Sequence, residues 1–144
     1  MKNQIMKSFT YASLLVAVVA LSGNVYAQKK NETSAAVERN KVMNALAMEN
    51  MIEAKKALLS AKEFIDLAAA NDETKNSQKT LWLKGEIYSL MGALGMQGPD
   101  LELLTALGEN GMDEAIAALK QGFPLDKKYK EDIITTVDRN RVAL

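Results

Sequence analysis

The chain has neither cysteine nor histidine. Those two absences remove thiol nucleophiles, disulfides, thiolate or imidazole metal sites and histidine general bases together. No cofactor is expected, and no metal. Aromatic residues make up 6% of the chain, so a core has to come mainly from Ala, Leu, Ile, Val and Met. A surplus of charge is missing too, with 18 Lys and Arg against 18 Asp and Glu. A nucleic-acid binder would normally carry a basic excess or stripe, so that class is set aside. No stretch alternates with period two, so no sheet is expected.

What is present suits helices. At 144 residues there is room for one domain, and 48% hydrophobic content is enough for its core. Ala and Leu, which lose little rotamer freedom in a helix, are abundant. The chain starts with Lys2 and Lys7, followed by an apolar run at 11–21 and then Val25 and Ala27 at small-residue spacing. This is the layout of a signal peptide, cut between Ala27 and Gln28. The run falls short of the roughly 20 apolar residues of a membrane span. With no Cys after it, lipoprotein anchoring is excluded; an uncleaved N-terminal anchor is the alternative. Export without a stable span after cleavage is the expectation, to the periplasm or beyond.

Residues 28–34 read as a polar leader, with Ser34 as an N-cap. From Ala35 to Ala70 neither Gly nor Pro occurs, and Met51, Ala54, Leu58, Ala61, Ile65 and Ala68 form a stripe at helical steps. One long helix, or two broken near 48–53, both fit. Residues 71–79 form a polar loop. A helix from about Ser77 or Thr80 to Met91 follows, and Gly92, Gly95, Gly98 and Pro99 read as a flexible connector. A short helix at 100–107 is stopped by Gly108. Another at 112–123 has Met112, Ala115, Ile116, Leu119 and Phe123 on one face. Pro124 ends it, and a last helix begins around Lys128 and includes Ile133, Ile134 and Val137.

The segment LWLKGEIY at 81–88 resembles the first helix of a tetratricopeptide repeat, with Gly85 as its small residue and Tyr88 as its aromatic. The segment DEAIAALK at 113–120 resembles the second helix, through Ala115 and Leu119. An earlier copy is laid over Ala61, Ile65 and Ala68. The whole is similar to exported tetratricopeptide proteins of Gram-negative bacteria. The resemblance implies an all-α fold: antiparallel helical hairpins stacked as a short solenoid over 35–144, with an inserted segment at about 90–110. Ala61, Ile65, Ala68, Gly85, Tyr88, Ala115 and Leu119 would be its packing residues. The chain stops at Leu144 apparently inside a helix, so it is expected to be the N-terminal part of a longer protein, which a stop codon directly after Leu144 would refute.

The motif puts Trp82, the only Trp, on a concave face as an anchor for a partner, with Glu86 and Ser89 along the same groove. The competing reading packs Trp82 under the inserted segment. Asp100 with Glu102, and Asp113 with Glu114, are the closest acidic pairs, and both suit helix starts better than glycoside hydrolysis. Met43, Met48 and Met51 suit either an adaptable surface or core filling. The expected function is a non-catalytic, protein- or peptide-binding scaffold of the cell envelope. The alternatives are a self-associating structural bundle, hence a homo-oligomer, and a carboxylate-based envelope hydrolase.

Overall fold

The computed structural model describes residues 29–125 and 128–143. The expected signal peptide at 1–27, with its cleavage point at Ala27 and Gln28, lies outside the described residues. All regular structure within them is helical. Helix α1 spans 29–47, α2 Met51–Ala69, α3 Gln78–Gln97, α4 Leu101–Leu107, α5 Gly111–Gly122 and α6 Lys130–Ala143. None is long and apolar enough to cross a membrane.

Helix α1 begins earlier than the polar composition of its first turns suggested. Residues 29–34, expected as a flexible leader, are already helical, so Ser34 is not an N-cap. Lys, Asn, Glu and Thr are not helix breakers, and this turn has tertiary support. The Ser77 hydroxyl donates to Glu32 at 3.1 Å, and Ala35 is fully buried.

The choice between one long helix and two falls to two. The Asn50 amide donates to the Ala45 carbonyl at 2.8 Å, a Schellman-type closure of α1, with Glu49 at φ 54°. That left-handed conformation costs a non-glycine residue about 1 kcal/mol. Asn50 then turns its side chain to α2, where its Oδ1 accepts from the Glu53 amide.

Helix α3 corrects the sequence reading most. It starts where Ser77 caps the Thr80 amide, but it runs on through Gly92 and Gly95 to Gln97. Those glycines are contact points rather than a connector. A methyl group on Gly95 would come within 2.7 Å of Leu104, and one on Gly92 would strike Met112. The helix accepts the backbone cost of glycine because α4 and α5 approach closely there. Only Gly98 and Pro99 of the expected connector fall after the helix. Helix α4 then starts at Asp100, whose carboxylate caps two amides, and ends at Gly108 with φ 80°.

Contacts give the helix directions. Glu32 meets Ser77 and Arg39 meets Glu86, so α1 and α3 run the same way. Gln78 meets Tyr129 and Glu86 meets Arg139, so α6 joins them in parallel. Gly85 faces Leu119 and Gly92 faces Met112, which makes α5 antiparallel to α3. Helix α2 is likewise reversed, since Tyr88 meets Asp66 while Asp100, beyond the end of α3, meets Lys55. One core joins these elements through Leu58, Ile65, Leu83, Ile87, Met91 and Ile133. Burying each such side chain is worth about 2 kcal/mol against leaving it in water.

Candidate functional site

The seven expected packing residues, Ala61, Ile65, Ala68, Gly85, Tyr88, Ala115 and Leu119, are all buried. Gly85 takes the Leu119 side chain against its backbone, where any Cβ would collide with it. The Tyr88 hydroxyl donates to Asp66 at 2.6 Å, and Lys62 and Lys84 lie over its ring. Burial, with the Asp66 carboxylate beside it, pushes the Tyr88 phenol well above the ordinary tyrosine range.

The other face of α3 carries Trp82, Glu86 and Ser89, spaced by four and three residues so that they share one stripe. The neighbours of that stripe are α1 and α6. Glu86 is 1% exposed, and its Oε1 receives two cations. Arg39 of α1 reaches it with one Nη, and Arg139 of α6 donates from 3.0 Å. Trp82 stacks on Tyr129 with ring centroids 5.2 Å apart, and the Arg39 guanidinium lies 5.6 Å from the Trp82 ring centroid. Gln78 fixes Tyr129 by accepting its amide at 3.1 Å while donating to the Gly122 carbonyl.

This arrangement corrects the reading of Trp82 as an exposed anchor. The indole is buried, and its cover comes from Arg39 and Tyr129 rather than from the segment at 90–110. Glu86 and Ser89 are buried as well, but they border open space. A cleft of about 440 Å³ between α1, α3 and α6 is lined by Leu46, Glu86, Ser89, Leu94, Thr136 and Arg139 among others. Among the described residues, Glu86 Oε2 on its wall is buried without a partner, as are Arg39 Nε and Trp82 Nε1, whose residues do not line the cleft. Such atoms are normally satisfied, so Glu86 Oε2 is an acceptor left over at the cleft.

The acidic pairs are placed otherwise. Asp100 and Glu102 both hold Lys55, at 2.7 Å each. The Lys55 ammonium, with the capped amides, holds the Asp100 carboxyl below the usual carboxylate range. A general acid needs a shift the other way. Glu114 pairs with Lys84 at 2.7 Å, and Asp113 sits in the first turn of α5. Met43 packs on the core, whereas Met48 and Met51 are exposed beside Ile52.

Arg39, Arg139 and Tyr129 are the residues around Glu86 and Trp82 that the sequence did not single out. A signal was present, since Arg is rare in this lysine-rich chain and two of its three arginines meet on Glu86. Arginine's planar fork suits buried carboxylates better than lysine's point charge. Compared with protein families, with curated proteins and with solved structures, the chain matches none.

Proposed function

We propose that the protein is a non-catalytic scaffold of the cell envelope that holds a protein or peptide segment in a tetratricopeptide-like groove. The observation that carries this reading is the cleft beside Glu86, where a buried carboxylate oxygen lacks a partner. That oxygen can accept a backbone N–H of a bound segment, and the Ser89 hydroxyl lies one turn further along the same wall. Leu46, Leu90 and Leu94 supply apolar surface beside these polar groups. A concave, mostly apolar site with a few placed polar atoms is the usual form of a binding pocket. The parallel course of α1, α3 and α6, with α2 and α5 returning against them, supports the repeat reading. The apolar run at 11–21 and the small residues after it support export.

The test is selection of peptides from a displayed library on the full chain, followed by calorimetry against wild type and Ala93→Arg. Ala93 is half-buried on the cleft wall, so a long side chain there fills the cleft without entering the core. The expected result is affinity weakened by about tenfold or more, equivalent to about 1.4 kcal/mol. Selected peptides that bind both proteins equally would refute the groove. Self-association is the second reading, favoured by the exposed apolar end formed by Met48, Met51 and Ile52. Concentration-dependent mass in light scattering supports it.

A further inference from the structure

The seat that α5 occupies on α3 is repeated on α6, where its outer part stands open. Helix α5 lies against Leu81 and Gly85 of α3: a methyl on Gly122 would come within 3.1 Å of Leu81 Cβ, and Leu119 rests on Gly85. Helix α6 stands beside α3, parallel and in register, through Gln78 with Tyr129 and Glu86 with Arg139. That register brings Ile133 and Val137 of α6 to the positions that Leu81 and Gly85 hold on α3. On α3 the pair is covered by an antiparallel helix. On α6 Ile133 is 1% exposed and packs toward Gly122 of α5, while Val137 and Ile134 beside it line an open cleft of about 550 Å³, whose other wall is the outer side of α5 with Ile116 and Phe123.

The exposure matches a partly open seat. Ile116 and Phe123 are each 41% exposed and Ile134 is 36% exposed, on the surface between α5 and α6. The rim carries one charge of each sign, Lys120 on α5 and Asp138 on α6, and neither is in an ion pair among the described residues.

We propose that this cleft seats one amphipathic helix of a partner protein, antiparallel to α6. Its inward stripe is of small and branched aliphatic residues, as α5's own stripe is with Ala115, Ala118 and Leu119. Its flanks carry an acid toward Lys120 and a base toward Asp138. The helix class follows from the repeated geometry, because a helix already fills the same seat one position back. The flanking charges follow from complementarity with the rim.

The probe is a fluorescent, helix-stabilised peptide carrying an Ala-Leu stripe copied from residues 111–122, titrated into the full chain by anisotropy. Two versions are compared, one with the proposed flanking charges and one with acid and base exchanged. Saturable binding is expected, weakened about tenfold by Ile134→Asp and by Ile116→Asp, and weaker for the exchanged peptide. Both positions are partly exposed, and circular dichroism checks that each variant stays folded. Ile52→Asp, at an 85% exposed position far along the chain, serves as the unaffected control. Absence of saturable binding, or equal binding by Ile134→Asp and Ile116→Asp, overturns the proposal. So does a dimer of the protein alone that Ile134→Asp abolishes, since a second copy would then own the cleft.

Discussion

Two three-membered charge networks tie helices together in this molecule, and they are near inversions of one another. In the first, one acid sits between two cations: Glu86 of α3 binds Arg39 of α1 and Arg139 of α6. In the second, one cation sits between two acids: Lys55 of α2 binds Asp100 and Glu102 at the start of α4. Their ion pairs are of similar length, yet their surroundings differ. Glu86 is 1% exposed, whereas the Glu102 side chain is 63% exposed. Burial therefore decides what each network is worth. Water screens the second, so its net contribution is small. In the first the acid has been taken out of water while Arg139 stays 39% exposed, and removing both cations would strand a buried charge. Among the described residues, only the buried network keeps an unpartnered carboxylate oxygen on a cleft wall.

The largest expected effect comes from emptying the buried network of cations. Arg39→Leu with Arg139→Leu leaves Glu86 buried and uncompensated, and should lower stability by about 3–5 kcal/mol in urea unfolding. A loss under about 1 kcal/mol would mean that Glu86 reaches water more easily than its burial implies, and the contrast with Lys55 would collapse. Extending the same pair of changes with Glu86→Leu sharpens the comparison. Apolar replacement of a whole buried ionic triad is often neutral or stabilising, so most of the loss should return. That triple variant should still fold while losing peptide binding at the cleft, which separates stability from recognition. Trp82 fluorescence should separate both variants from wild type, where Arg39 lies over the indole ring.

Local features were far more legible in the sequence than the buried network around Glu86. The stripe of α2, the polar loop near 71–79 and the aliphatic face of α5 follow from spacing alone, since each needs only local periodicity. The cap at Asp100 is local too. Glu86, by contrast, is joined to residues 47 and 53 positions away, and no local pattern announces either bond. Periodicity put Trp82, Glu86 and Ser89 on one stripe of α3 without telling which helices would cover it. Helix α3 was read as too short because Gly92 and Gly95 look like breakers when neighbours are unknown. They are in fact where Met112 and Leu104 come close. The start of α1 was hidden for a similar reason, since its support comes from Ser77 and from burial of Ala35. Gly85 is the exception among long-range contacts, since the motif that the segment resembles asks for a small residue at that position, and Leu119 packs there.

The smallest expected effect lies in the exposed network and is best read as a pH dependence. The side-chain hydrogen bond from Lys55, with the Leu103 and Glu102 amides, holds Asp100 below the ordinary carboxylate range. A depressed folded pKa means that the unfolded chain binds its proton first as pH falls. The stabilisation is therefore present above about pH 4 and is lost below it, as pH falls through the folded value. Lys55 is shifted upward, chiefly by its hydrogen bonds to Asp100 and then Glu102. Its stabilisation is present below about pH 10 and is lost as pH rises through its own folded value. Between those limits the contribution should be flat. The measurement is the melting temperature of wild type and Lys55→Met from pH 2 to 7, at low and at high salt. The difference between the two proteins should be small at pH 6, shrink toward pH 2, and shrink again in high salt, because an exposed pair is screened. A difference that survives both acid and salt would place the contribution in the packing of the Lys55 stem rather than in its charge. The same salt titration on the double arginine variant supplies the contrast, since the loss caused by stranding Glu86 should persist in high salt.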